Sequence, residues 1–75
     1  MALKNEKIIA RVPRDESQEL MILTGEYWNM NVVDIRWWRN GKPSSKGIRI
    51  NENELKTLKQ ALEMIEIGIE TRNKN

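Results

Sequence analysis

Short apolar runs and stretches of alternating apolar and polar residues make up the chain as far as Ile50, and beyond it the apolar residues recur at steps of three and four. Residues 7–12, Lys-Ile-Ile-Ala-Arg-Val, form a short β-branched run ended by Pro13 and predict a first strand. Residues 13–17 are polar and turn-forming. A second apolar run at 19–25 closes near Gly25, and Tyr27 and Trp28 either extend that strand or enter the next turn. Residues 31–39 hold the clearest strand pattern. Period two puts Val33, Ile35 and Trp37 on one face, wholly apolar and expected to be the core side. Val32, Asp34, Arg36 and Trp38 fall on the other face, which mixes charge with an indole and is expected to be the working side. Asn40-Gly41 is a hairpin signal, because both residues tolerate positive φ. Lys42-Pro43-Ser44-Ser45 then lengthens the expected loop before a fourth strand at 46–50, with Ile48 and Ile50 as its apolar alternates.

Asn51 fits a helix N-cap, and Glu54 three residues later completes a capping-box pattern. Leu55, Leu58, Leu62, Ile65 and Ile69 make one apolar stripe, widened by Ala61, Met64 and Gly68. The expected helix covers 52–70, with fraying from Thr71 onward. One helical face is enough to cover one sheet, so the wider face offers a surface to a partner subunit through Leu58, Ala61, Leu62 and Ile65. The expected fold is α+β: a four-stranded antiparallel sheet followed by one long C-terminal helix, in a single domain spanning residues 1–75.

Composition narrows the function. A domain of 75 residues has a small core, and dimerisation is expected on that ground. There is no cysteine, no apolar run of membrane-spanning length and no signal-like stretch near the N-terminus, so the expectation is a soluble cytoplasmic protein. The absence of both His and Cys removes the usual general base, the thiol nucleophile and the nitrogen and sulfur metal ligands. With carboxylates scattered and unpaired, neither an enzyme nor a cofactor is expected.

Charge is concentrated. Residues 1–33 carry four basic and five acidic side chains, and residues 51–75 carry the same numbers. Residues 34–50 carry five basic against the single Asp34, so the whole excess of positive charge lies there. Arg36, Arg39, Lys42, Lys46 and Arg49 are interleaved with Trp37 and Trp38. Cations that hold phosphates, beside flat π-faces that receive unstacked bases, are what a single-stranded nucleic acid surface requires. Strand parity assigns Trp37 to the core and Trp38 to base stacking. Arg36 is expected to contact phosphate or base, with pairing to Asp34 as the alternative.

Asp34-Ile35-Arg36, the aromatic pair, the short polar hairpin with Lys42-Pro43, and Lys46-Gly47-Ile48 resemble the positive cofactor four family of single-stranded-DNA-binding transcriptional coactivators. The resemblance extends through Ile50-Asn51 to Leu55 and Leu58, covering about residues 20–65. It implies a curved four-stranded sheet, a homodimer whose helices help form the interface, and grooves for single strands. By position it implies DNA contacts from Tyr27, with Trp28 adjacent, and from Arg36, Trp38, Lys42 and Lys46; Arg39 joins them from the basic patch. Three positions depart from the family pattern: Met30 stands for a lysine, Arg39 for a tryptophan and Ser45 for a basic residue. The expected partners are single-stranded DNA, with RNA as a variant, a second copy of the chain, and transcription or replication proteins; nucleoid association follows from the first. A protein-interaction adaptor that docks an acidic partner on the same face is the competing expectation.

Overall fold

The computed structural model describes residues 3–73. Four strands, β1 (Lys4–Pro13), β2 (Gln18–Tyr27), β3 (Met30–Arg39) and β4 (Lys42–Asn51), precede one helix, α1 (Glu52–Asn73). The strands form a single antiparallel meander in the order β1-β2-β3-β4, so β1 and β4 are its edges. This is the α+β arrangement that the hydrophobic pattern predicts. Every strand outruns its apolar segment, because ladder pairing continues through flanking polar residues: Gln18 pairs with Arg39, and Tyr27 with Met30.

Tight turns join the central strands. Trp28 and Asn29 have φ of 52° and 62°, and Asn40 and Gly41 have 52° and 78°. Positive φ at both central residues is the hairpin geometry that follows the natural twist of the strands. The long β3–β4 loop expected from the sequence is absent, since Arg39 pairs directly with Lys42. The additional residues form a bulge instead. Arg36 faces Gly47 and Trp38 faces Pro43, so Ser44, Ser45 and Lys46 lie opposite Trp37 alone. Ser44 fastens this bulge, donating from Oγ to the Trp37 carbonyl at 2.7 Å and accepting from the Lys46 N–H at 3.2 Å. Only glycine fits at 47, where a Cβ would lie 2.5 Å from the Ile35 carbonyl oxygen and 2.7 Å from Arg36 Cα.

Directly opposed residues share a face, and the register therefore sorts the sheet. Met21, Leu23, Val32, Asp34, Arg36, Trp38, Gly47 and Arg49 lie on one side; Ile22, Val33, Ile35, Trp37, Ile48 and Ile50 lie on the other. Helix α1 covers the second side against β3 and β4 and reaches neither β1 nor β2. An apolar cleft of about 380 Å³ separates Leu55, Leu58 and Leu62 from Ile22, Val33 and Ile35. This reverses the expected burial. Val33, Ile35 and Trp37 are only half-buried, whereas Val32 and Asp34 on the anticipated working side are 6% and 3% exposed. The reason is incomplete cover by the helix on one side and a closing residue on the other. Leu3 lies over Gly25 so closely that a Cβ there would meet Leu3 Cβ at 2.6 Å, and it lines the same side of the sheet as the buried Leu23.

The capping box forms as the sequence predicts. Glu54 N–H donates to Asn51 Oδ1 and Asn51 N–H donates to Glu54 Oε1, both at 2.9 Å. The helix runs past the expected fraying point at Thr71, whose Oγ1 donates to the Ile67 carbonyl at 2.9 Å; Lys74 and Asn75 lie outside the described residues. Most of its apolar stripe is open, with Leu62, Ile65 and Ile69 at 54%, 57% and 43% exposed. The radius of gyration is 14.5 Å, against about 11 Å for a compact domain of this length.

Candidate functional site

The groove side of the sheet holds a depression of about 640 Å³, floored by Leu3 and Leu23 and walled by Glu6, Asp34, Arg36, Trp38, Pro43 and Arg49. Its electrostatics centre on Asp34. Arg36 donates to both of its oxygens, from Nε at 3.1 Å and Nη2 at 3.0 Å, and Arg49 Nε reaches it at 3.4 Å. Arg36 Nη1 also donates to the Ser44 carbonyl at 3.0 Å, so the bulge and the ion pair fix one guanidinium together. The hydrogen bonds to Asp34 hold the Arg36 guanidinium above its already high value, with burial opposing. Two cations thus share one buried carboxylate. The pairing that was the alternative for Arg36 is the one present, and two of its five N–H groups have no partner among the described residues.

At one end of β3, Trp38 lines the groove, and its buried indole Nε1 has no hydrogen-bond partner among the described residues. Buried donors are ordinarily satisfied. At the other end, Arg49 Cζ lies 5.1 Å from the Tyr27 ring centroid, and Trp28 packs edge-on against Tyr27 with centroids 6.1 Å apart. Trp38 therefore lines the groove at one end, and Tyr27 stands beside Arg49 just beyond the other, with the guanidinia between them. Trp28 is 79% exposed at the turn.

Not every candidate lies here. Arg39 pairs with Gln18 and Lys42, and the alternation places all three on the helix side with Trp37. On that side Arg14 stacks its guanidinium 3.8 Å over the Trp37 ring. Lys46 is exposed on the bulge. The basic segment that looked continuous in sequence is thus divided between two faces, because neighbouring strand residues point in opposite directions. Arg49 is the groove residue that the motif comparison did not assign. Its signal was the alternation of β4, where Ile48 and Ile50 turn one way and Arg49 the other. Glu6 and Leu3 come from β1 and the residue before it, and no local pattern marks them.

Among the described residues, no cluster of three or more metal-ligating side chains occurs and no helix is long and apolar enough to cross a membrane. Comparison of the chain with protein-family models, curated proteins and solved structures finds no match in any of the three.

Proposed function

We propose that this chain binds single-stranded nucleic acid, single-stranded DNA first, without a base code, as a homodimer serving transcription, replication or repair. The observation that carries the reading is the groove itself, with Arg36 and Arg49 between Trp38 at one end and Tyr27 at the other. Guanidinia suit phosphates and stack on bases, and each base–aromatic stack contributes about 1–3 kcal/mol in a sequence-tolerant way. The resemblance of Asp34-Ile35-Arg36 and Lys46-Gly47-Ile48 to the positive cofactor four family points the same way. The second copy is supported by the apolar stripe of α1, by the open cleft beneath it and by Val12 and Ile48, each about half exposed. These residues lie on one side of the sheet and leave the groove free.

One observation favours the adaptor reading. Asp34 neutralises much of the charge on Arg36 and Arg49, which weakens their hold on phosphate, whereas Trp and Arg are also enriched where proteins dock, so the second reading is an adaptor that takes an acidic partner on this face. Anisotropy of a labelled mixed-sequence single strand, titrated with wild type and Trp38→Ala over a range of salt, separates the two. Nucleic-acid binding requires affinity that falls with salt and drops in the variant. Retained, salt-sensitive binding in the variant would leave charge alone as the cause. No binding at low salt would reject the nucleic-acid reading in favour of the adaptor.

A further inference from the structure

We infer that the second copy is held by a reciprocal charge latch, in which the acidic row Glu63, Glu66 and Glu70 of each α1 docks on the cationic corner Arg14, Arg39 and Lys42 of the other subunit. This rests on the homodimer reading and adds to it the surface that each helix meets and a use for cations that the groove does not take. Both halves of the latch are locally unfavourable and unpaired. The register sets Arg39 directly opposite Lys42 on the helix side, and like charges so opposed destabilise a hairpin. Arg14 brings a third cation, stacked 3.8 Å over Trp37, two residues from Arg39. Its turn is tied to this end of the sheet, since Arg14 N–H donates to the Gln18 carbonyl and Asn40 N–H to the Ser17 carbonyl. Among the described residues, ion pairs join Arg11 to Glu19 and Arg36 and Arg49 to Asp34, and these three cations have none. Asp15, next to Arg14, turns its carboxylate to the N–H groups of Ser17 and Gln18.

On α1, spacings of three and four put Glu63, Glu66 and Glu70 on one face. Like charges at those spacings weaken a helix, and a carboxylate in the last turn opposes the helix dipole. Helix propensity therefore does not account for the row, whereas cations on a second copy do. The two halves also match in length and setting. Glu63 to Glu70 spans about 10 Å of helix. Trp37, under Arg14, lies about 7 Å from Arg39 along β3, and Lys42 stands about 5 Å across from Arg39. The exposed Leu62 and Ile69 border the acidic row, and the half-exposed Val12 and Ile48 share the helix side with the corner. Helix α1 does not reach β1 or β2 of its own sheet, so the Arg14 side of the corner is open to another helix. Docking buries apolar surface beside the charges, where ion pairs gain over those on open surface.

The test is sedimentation equilibrium of wild type, of Arg39→Glu/Lys42→Glu and of Glu66→Lys/Glu70→Lys, each alone and the two variants mixed in equal amounts, with far-UV circular dichroism to check the fold. Wild type should dimerise, and less tightly as salt rises. Each variant alone should dimerise at least about tenfold more weakly, because like charges then meet at both latches. The mixture should form a heterodimer about as tight as wild type, since each helix row then faces a corner of opposite sign. The single reversals Arg39→Glu and Glu66→Lys should repeat the pattern at smaller amplitude. Dimerisation of either double variant at wild-type strength would overturn the inference, as would folded variants whose mixture stays monomeric. A wild type that is monomeric at every concentration would remove the homodimer reading itself, an outcome distinct from loss of the latch.

Discussion

Asp34→Asn separates what the groove needs for folding from what it needs for binding. The carboxylate is 3% exposed and accepts two bonds from Arg36 and one from Arg49. Asparagine keeps its shape but removes the charge and turns one acceptor into a donor among guanidinia. Removing one partner of a fully buried pair costs about 3–5 kcal/mol. The Arg36 and Arg49 side chains retain 19% and 29% exposure, and water can solvate them in part. The expected loss is therefore about 2–3 kcal/mol, from roughly 4–11 kcal/mol for a domain of this length. Urea unfolding reads it as a lower midpoint at unchanged slope. In a double-mutant cycle with Arg36→Met, the coupling should exceed about 0.5 kcal/mol. The variant should also bind single strands more tightly, with a steeper salt slope, because a guanidinium is released to phosphate. A midpoint within experimental error of wild type, together with additive single losses, would refute the assignment of Asp34 as the charge that holds the groove.

Gly47→Ala should destabilise by about 1–3 kcal/mol, because its Cβ would meet backbone atoms of Ile35 and Arg36 that cannot move aside; an unchanged denaturation midpoint would contradict the close approach at the bulge. Asn51→Ala removes the acceptor for the Glu54 N–H and should cost about 0.5–2 kcal/mol, read from helical circular dichroism through a thermal melt. Asp15 accepts from the backbone of Ser17 and Gln18, and these bonds hold its carboxyl below the ordinary aspartate value of 3.8. Its contribution to stability is present above that value and lost as the pH falls through the lowered one, and carboxyl NMR titration should find a depressed midpoint.

The succession of four strands and a helix, and the helix start, were legible because each depends on short-range pattern: alternation for β3, and the Asn51–Glu54 spacing for the cap. The β3–β4 connection was not. Pro43 and the two serines carry turn chemistry, and only cross-strand pairing with Trp37 and Trp38 shows that they bulge within a strand. Burial was misjudged for a related reason. Apolarity marks Val33 and Ile35 as a core face, but how far α1 covers them depends on where the helix goes after Asn51. Asp34 is polar in sequence and buried in the fold because Arg36, two residues away, and Arg49, across the pair of strands, both reach it. The site was legible in kind, since the aromatic and cationic residues were identifiable. Their division between two faces required the register.

That division sets how strongly one copy can hold a polyanion. Arg39 and Lys42 lie on the helix side, leaving Arg36, Arg49 and exposed Lys46 near the groove, with Asp34 shared by the first two. Subtracting the shared carboxylate and Glu6 on the groove wall leaves the equivalent of about one phosphate contact, which for a single strand corresponds to a log–log salt slope near −0.7. If the second copy supplies an equal groove and one strand crosses both, the slope should approach about −1.4, and the additional affinity should come as avidity from linked sites. Measuring the slope with wild type and with a charge-introducing Ile65→Glu variant, chosen to separate the copies at the open stripe of α1, tests the two proposals together. A slope that halves as sedimentation shows monomers would mean that the groove is used in pairs. An unchanged slope in a confirmed monomer would assign binding to a single groove. A steep slope lost only when Arg39 and Lys42 are neutralised would move the phosphate path to the helix side, against the placement argued from Trp38 and Tyr27.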